Sequence, residues 1–110
     1  MSRHLPSITH LQFLVLGLLL RDALPGRRLR RELAARGIRR TAPAFYQMMS
    51  RLEEAGFVRG WYDQKVVDGQ IIKQRHYKLT ASGAGAWTDT RDFYASAAKD
   101  LGLGPEWAHA

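Results

Sequence analysis

The stretch that decides the fold is residues 41–58, TAPAFYQMMSRLEEAGFV. Thr41 is a favourable N-cap residue for a helix, and Gly56 is a favourable residue just after a helix end. Three large apolar residues between them recur at helical spacing and predict one buried face. They are Phe45, Met49 and Leu52. The stretch therefore predicts a helix that runs to about residue 55, with its opposite face turned to solvent.

A second, arginine-rich helix is predicted directly before this one, over about residues 27–36. Its apolar residues, Leu29 and Leu33, are four apart and form a narrow stripe. Gly37 suits the position after the helix end. Only about four residues then separate the two helices, which is typical of a helix-turn-helix.

A β-hairpin and a long helix are predicted after residue 56. The strands are expected at residues 57–63 and 71–79, with Asp68-Gly69 as a hairpin turn signal between them. Trp61, Tyr62 and Tyr77 are expected to pack at the base of this hairpin. Thr80 then caps a helix that extends to about Leu101.

A capped apolar helix is predicted near the N-terminus. Residues 9–12, THLQ, fit a capping box, and residues 11–20, LQFLVLGLLL, are apolar on nearly every side. This run has about half the ~20 residues of a membrane span, and no signal-peptide cleavage pattern follows it. A helix that is apolar all round needs cover on both faces, so we expect a second subunit there. The predicted interface residues are Leu11, Leu14, Leu18, Trp87, Tyr94 and Leu101.

The fold class expected from this order is mainly α with a small β-hairpin, a winged helix-turn-helix. It has three helices, a two-stranded wing and a long C-terminal helix. We expect a winged helix-turn-helix DNA-binding domain over residues 1–80, a dimerisation helix over 81–102, and a frayed tail over 103–110.

The charge is concentrated in one block of the chain. The whole chain carries a formal charge of +7. Residues 21–40 hold eight arginines and two acidic residues, a net charge of +6. The planar guanidinium fork suits phosphate, so the block favours a polyanion partner over a merely solvated helix face. The absence of cysteine excludes a disulfide framework and a thiolate zinc site, and it fits a cytoplasmic protein.

Two short strings placed around the hairpin resemble one protein family. Residues 52–58 read LEEAGFV and residues 77–83 read YKLTASG. From about Ile8 to Tyr94 the chain resembles the PadR family of winged helix-turn-helix transcriptional regulators, in the short type without a separate C-terminal domain. The resemblance implies DNA binding and a homodimer built from the first and last helices.

The chain departs from the family pattern at four places. Arg27 stands where a tyrosine commonly follows the glycine that begins the second helix. Ala44 stands where a serine or threonine commonly precedes the apolar-tyrosine pair. A common Tyr-Pro step is here Tyr46-Gln47, and the wing is long.

The outward face of the third helix is the expected DNA-reading surface. Gln47 can make a paired contact to adenine, and Arg51 can bind guanine or phosphate. Other residues are expected to hold phosphates or to line the minor groove. The full predicted set is Arg39, Arg40, Thr41, Ala44, Tyr46, Gln47, Arg51, Lys65, Lys73 and Arg75.

The last helix carries an aromatic group that has two interpretations. Trp87, Phe93 and Tyr94 could line a pocket for a small aromatic effector, or they could simply pack. Catalysis is not expected, because the four histidines lie far apart and no catalytic motif occurs. No metal or cofactor is expected either.

The sequence therefore predicts a homodimeric DNA-binding transcriptional regulator that acts as a repressor. A response to a small aromatic ligand follows only under the pocket interpretation of Trp87, Phe93 and Tyr94. Its partners would be double-stranded DNA and a second copy of the chain, without a membrane. Two alternatives stay open. One is a winged-helix protein-interaction adaptor without operator binding, and the other is an RNA-binding module.

Overall fold

The structure is a computed structural model that describes residues 5–102. Four helices and a three-stranded antiparallel sheet follow one another along this part of the chain. They are α1 (His10–Leu18), β1 (Leu24–Pro25), α2 (Gly26–Ala35), α3 (Ala42–Glu54), β2 (Val58–Val67), β3 (Gln70–Leu79) and α4 (Ala81–Asp100). The helix-turn-helix, the wing and the long last helix were predicted. The expected tail at residues 103–110 lies outside the described residues.

The sheet has one strand more than predicted. β1 pairs with β3, with Leu24 opposite Tyr77 and Pro25 opposite His76. Two residues are too few to show the alternation of side chains that indicates a strand. The proline in addition suggested an interruption of regular secondary structure. Proline is tolerated here because the strand lies at the edge of the sheet. The short segment before α2 is therefore a strand that anchors the helix-turn-helix to the wing.

The wing is longer than the sequence predicted. β2 and β3 pair without interruption from Val58–Leu79 at the base to Val67–Gln70 at the tip. Asp68 and Gly69 have φ values of 51° and 78°, which suit the two-residue turn that matches strand twist. Residues 64–67 were not predicted as part of the strand, because Gln64 and Lys65 interrupt the apolar pattern. The tight turn holds them opposite β3, and the backbone ladder continues to the tip.

The core lies between the four helices and the base of the sheet. The predicted inward faces of α2 and α3 are confirmed, since Leu29, Leu33, Phe45, Met49 and Leu52 are all buried. The predicted helix ends are confirmed as well. The Ile38 N–H donates to the Leu33 carbonyl at 2.9 Å, and the Phe57 N–H donates to the Leu52 carbonyl at 3.0 Å. Such bonds close the last turn of a helix after a left-handed glycine.

The two strings that carry the family resemblance contact each other. The Thr80 hydroxyl caps α4 through the Gly83 N–H and donates to the Gly56 carbonyl at 2.6 Å. The Thr80 N–H donates to the Phe57 carbonyl at 3.1 Å. The end of α3 and the start of α4 thus form one junction, which closes the wing at its base.

α1 is capped as predicted and is shorter than the apolar run. The Gln12 N–H donates to the Thr9 hydroxyl, and the Thr9 N–H donates to the Gln12 side chain. The helix ends at Leu18, and Leu20 is exposed. No helix within residues 5–102 is long and apolar enough to cross a membrane.

Candidate nucleic-acid interface

α3 presents a polar outer face that begins at a capped end. The Thr41 hydroxyl accepts a hydrogen bond from the Ala44 N–H at 3.3 Å and starts the helix. Ala44, Gln47 and Arg51 are exposed, because the opposite side of the helix is buried in the core. The helix therefore offers an amide and a guanidinium to solvent from a rigidly held backbone.

The arginine block divides into paired and unpaired side chains. Arg28 and Arg36 both bind Glu32, at 3.1 Å and 3.2 Å. Hydrogen bonds from Arg28 and then from Arg36 lower the pKa of Glu32 below its ordinary value. Arg30 donates to the Arg40 carbonyl at 3.3 Å, so it supports the turn between α2 and α3.

Five arginines of the block are exposed and have no acidic partner among residues 5–102. They are Arg21, Arg27, Arg31, Arg39 and Arg40. Arg27 and Arg31 are four residues apart on the face of α2 opposite Leu29 and Leu33. Neither arginine was among the predicted site residues, although their spacing of four residues is visible in the sequence. Two like charges on one exposed face repel each other, which favours an anionic partner.

A polar cleft of about 440 Å³ lies between α3 and the wing. Its residues are Tyr46, Ser50 and Glu53 from α3, with Tyr62, Lys73, Arg75 and Tyr77 from the sheet. Tyr46 is half-buried, and a Cβ on Gly26 would lie only 2.8 Å from its ring and its hydroxyl. The glycine that begins α2 thus leaves room for the ring and the hydroxyl of Tyr46 at the helix start.

Arg75 is held inside this cleft instead of standing free on the wing. It donates to Glu53 at 2.6 Å and lies 4.8 Å from the centre of the Tyr62 ring. Burial is the largest single effect and opposes ionisation of Arg75, but the hydrogen bond and charge of Glu53, together with the interaction with Tyr77, outweigh it and raise the pKa of Arg75. Glu53 was not among the predicted site residues, because one sequence gives no sign of a partner 22 positions away.

The remaining aromatic residues of the cleft differ in exposure. Tyr77 is buried as expected, and burial raises its pKa to about 12. Tyr62 was expected in the wing base and is instead 68% exposed. It is on the sheet face that looks toward α3, where the helix does not cover it.

The predicted wing contacts lie on two different faces. Residues directly opposite in an antiparallel pair project to the same side, and alternate residues project to opposite sides. Lys73 is opposite Gln64 and shares a face with Arg75, toward the cleft. Lys65 is opposite Ile72 and projects from the other face. A partner bound on the cleft side of the wing therefore cannot contact Lys65 and Lys73 to the same extent.

The three aromatic residues of the expected ligand pocket do not meet at one cavity. Trp87 stacks on Phe13 with ring centres 5.6 Å apart, and it packs closely against Gly17. Phe93 packs edge-on against Tyr94. The cavity of about 530 Å³ between the N-terminal segment, α1 and α4 has Tyr94 in its wall without Trp87 or Phe93. Trp87 is used for packing between α1 and α4, which helical spacing alone could not show.

The expected interface residues likewise fall into two groups. Leu11, Leu14, Leu18 and Trp87 are half-buried against the core of their own chain. Tyr94 and Leu101 are exposed, at 54% and 75%. Among residues 5–102 no group of three or more histidine, aspartate or glutamate residues is placed to hold a metal ion.

Several solved structures with a similar fold are transcriptional regulators. No protein-family model matches the chain, and no curated protein matches it significantly. A PadR family transcriptional regulator from Eggerthella lenta is 26% identical, with a TM-score of 0.68 over 84% of this chain and 78% of that one. A PadR family regulator from Clostridium difficile is 15% identical, with a TM-score of 0.72 over 86% and 96%.

One further structural neighbour was solved with DNA. Bacillus subtilis PadR in complex with operator DNA is 20% identical, with a TM-score of 0.61 over 81% of this chain and 48% of that one. The structural neighbours are thus PadR-family transcriptional regulators that match most of the chain, and the resemblance inferred from the sequence is confirmed.

Proposed function

We propose that this protein is a sequence-specific DNA-binding transcriptional regulator in which α3 enters the major groove. The observation that carries the proposal is the exposed face of Ala44, Gln47 and Arg51 on a helix whose other side is buried. A recognition helix reads bases with residues near its N-terminus, and Gln47 is in its second turn. The fold shared with a regulator solved on operator DNA supports this assignment.

Phosphate contacts would come from both sides of α3. Arg39, Arg40 and Thr41 stand at its N-terminus, where the helix dipole also favours an anion. Arg27 and Arg31 extend this positive surface along α2, and Lys73 continues it on the cleft face of the wing. Such contacts position a protein on DNA without reading its sequence.

The proposal includes a homodimer that represses transcription. Tyr94 and Leu101 expose apolar surface on α4, and partial exposure of Leu11, Leu14 and Leu18 leaves more on α1. A two-fold dimer would present two α3 helices to two half-sites. A dimer seated on an operator blocks access of the polymerase, so repression is the proposed outcome.

A small aromatic effector would bind in the cavity of about 530 Å³ beside Tyr94. Its size falls in the range of small-molecule sites. The effector would contact Tyr94 directly. Trp87 and Phe93 do not line the cavity and would only support it, because Trp87 packs on Phe13 and Phe93 packs on Tyr94.

Mobility shifts on duplex DNA, duplex RNA and a scrambled DNA control test the proposal. We expect binding to DNA, because the major groove of A-form RNA is too deep and narrow for a helix. Selection from a random duplex pool would then give the preferred sequence. Binding to RNA in preference to DNA, or to neither, would favour the RNA-binding or the adaptor alternative.

Gln47→Ala tests the reading helix itself. We expect weaker preference at one or two positions of the selected sequence, worth about 1–3 kcal/mol, with little change in non-specific affinity. Ser82→Ala, at an exposed position outside the cleft, is the control. An unchanged base preference for Gln47→Ala would contradict the assignment.

A further inference from the structure

The tip of the wing carries an exposed apolar pair. Val66 and Ile71 are directly opposite each other in the last rungs of the hairpin, and they are 71% and 68% exposed. Wing residues that bind only phosphate would carry charge or hydrogen-bond donors. Two branched aliphatic side chains at this place therefore need another explanation.

Strand register places this pair on the face that looks toward α3. From the base to the tip, the rungs of this face are Gly60–Tyr77, Tyr62–Arg75, Gln64–Lys73 and Val66–Ile71. Tyr62, Lys73, Arg75 and Tyr77 all line the cleft beside α3, so the contacts fix the direction of the face. The apolar pair thus continues the candidate nucleic-acid interface outward, one rung beyond Lys73.

The distance from the cleft to the tip matches the spacing of DNA grooves. Tyr77 and Ile71 are six residues apart, about 20 Å along an extended strand. Half a helical turn of B-DNA is about 17 Å, which separates a major groove from the neighbouring minor groove. With α3 in the major groove, Lys73 would lie near the intervening phosphates and Val66–Ile71 at the minor groove.

We propose that Val66 and Ile71 form an uncharged contact with the minor groove of DNA, a part of binding that salt does not weaken. The inference rests on the proposed DNA-binding function. Apolar side chains at the minor groove are typical of proteins that use DNA shape. Asp68 lies in the turn beyond the pair, so the side of the wing makes the contact and the acidic turn stays out of the groove.

Two double variants test this contact in the full chain. Val66→Ser with Ile71→Ser removes the pair, while Val67→Ser with Ile72→Ser makes the same changes on the opposite face of the same strands. Both variants lose the same β-propensity, but Val67 and Ile72 are less exposed than Val66 and Ile71, so thermal unfolding of each variant is measured to establish that the wing stays folded. Affinity is measured from low to high salt on a duplex that the wild-type protein selects from a random pool.

We expect the Val66/Ile71 variant to bind about tenfold more weakly at every salt concentration, with an unchanged slope of log affinity against log salt. The Val67/Ile72 control should stay within about twofold of wild type. Lys73→Ala should instead reduce the slope by about 0.9.

Equal affinity of the wild type and the Val66/Ile71 variant for the duplex would overturn the inference. The exposed pair at the wing tip would then be a candidate contact for a protein partner instead. An equal loss in both double variants would also overturn it, because wing folding would then be the cause. Failure of the proposed function looks different, since the wild-type protein itself would not bind the duplex.

Discussion

Arg75 of β3 donates a 2.6 Å hydrogen bond to Glu53 of α3, and this ion pair lies directly over Gly60 of β2. A Cβ on Gly60 would overlap the Glu53 carboxylate and would lie 2.9 Å from the Arg75 guanidinium. Because Gly60 has no side chain, it leaves the space in which the Glu53–Arg75 pair joins α3 to the wing. The ion pair therefore links α3 to the wing.

Glu53→Ala should lower stability more than loss of an exposed ion pair. The side chains of Glu53 and Arg75 are each about one quarter exposed, so removal of one leaves a partly buried charge. We expect a loss of about 1–3 kcal/mol in the free energy of unfolding by urea. Arg28→Ala, which breaks an exposed pair with Glu32, should cost under about 0.5 kcal/mol. Equal losses of unfolding free energy in Glu53→Ala and Arg28→Ala would contradict a stabilising link between α3 and the wing.

Gly83→Ala and Gly85→Ala should have opposite effects within one helix. A Cβ on Gly83 would collide with the Phe57 carbonyl, while a Cβ on Gly85 meets nothing within 4 Å. We expect Gly83→Ala to destabilise by about 1–3 kcal/mol. Gly85→Ala should stabilise by up to about 1 kcal/mol through helix propensity. Thermal and urea unfolding measure both, and a stable Gly83→Ala protein would contradict the close junction between α3 and α4.

Arg31→Ala should reduce the salt dependence of DNA binding. An unpaired arginine on phosphate contributes about 0.9 to the slope of log affinity against log salt. Arg36→Ala is the matched control, because Glu32 already binds that guanidinium in the free protein. Titration of one duplex in a salt series measures both slopes. A larger change for Arg36→Ala would place the phosphate contacts elsewhere on α2.

Leu101→Glu should weaken the proposed dimer without unfolding the subunit. Leu101 is 75% exposed, so its replacement does not disturb the core of one chain. Light scattering of the wild type should give about twice the chain mass of 12.5 kDa at micromolar concentration, and the variant should shift toward one chain. Asp100→Ala is an adjacent exposed control. A wild-type mass near one chain would exclude the dimer at that concentration.

Alkaline pH should destabilise the fold through Tyr77. Burial raises its pKa from 10.0 to about 12 in the folded state. The folded chain therefore holds the proton more tightly than the unfolded chain. This contribution to stability is complete below pH 10 and is lost as the pH rises toward 12, by about 2–3 kcal/mol. Tyr77→Phe should show a shallower loss over this interval, while Tyr62→Phe should follow the wild type.

The sequence by itself determined the order of elements and the inward faces. Helical spacing identified Phe45, Met49 and Leu52, and local rules identified the Thr41 cap and the Asp68-Gly69 turn. These features depend on residues only a few positions apart. The outward direction of Gln47 follows from the same period, so the centre of the candidate site was predictable too.

Only the tertiary structure decided which distant side chains meet. The pairing of β1 with β3, the Glu53–Arg75 contact and the stacking of Phe13 on Trp87 each join separate elements. Strand register separated Lys65 from Lys73 and placed Val66 beside Ile71 on the cleft face. A local pattern specifies which side of an element is apolar. The packing of elements in three dimensions specifies which residue covers that side and which charges remain free to bind a partner.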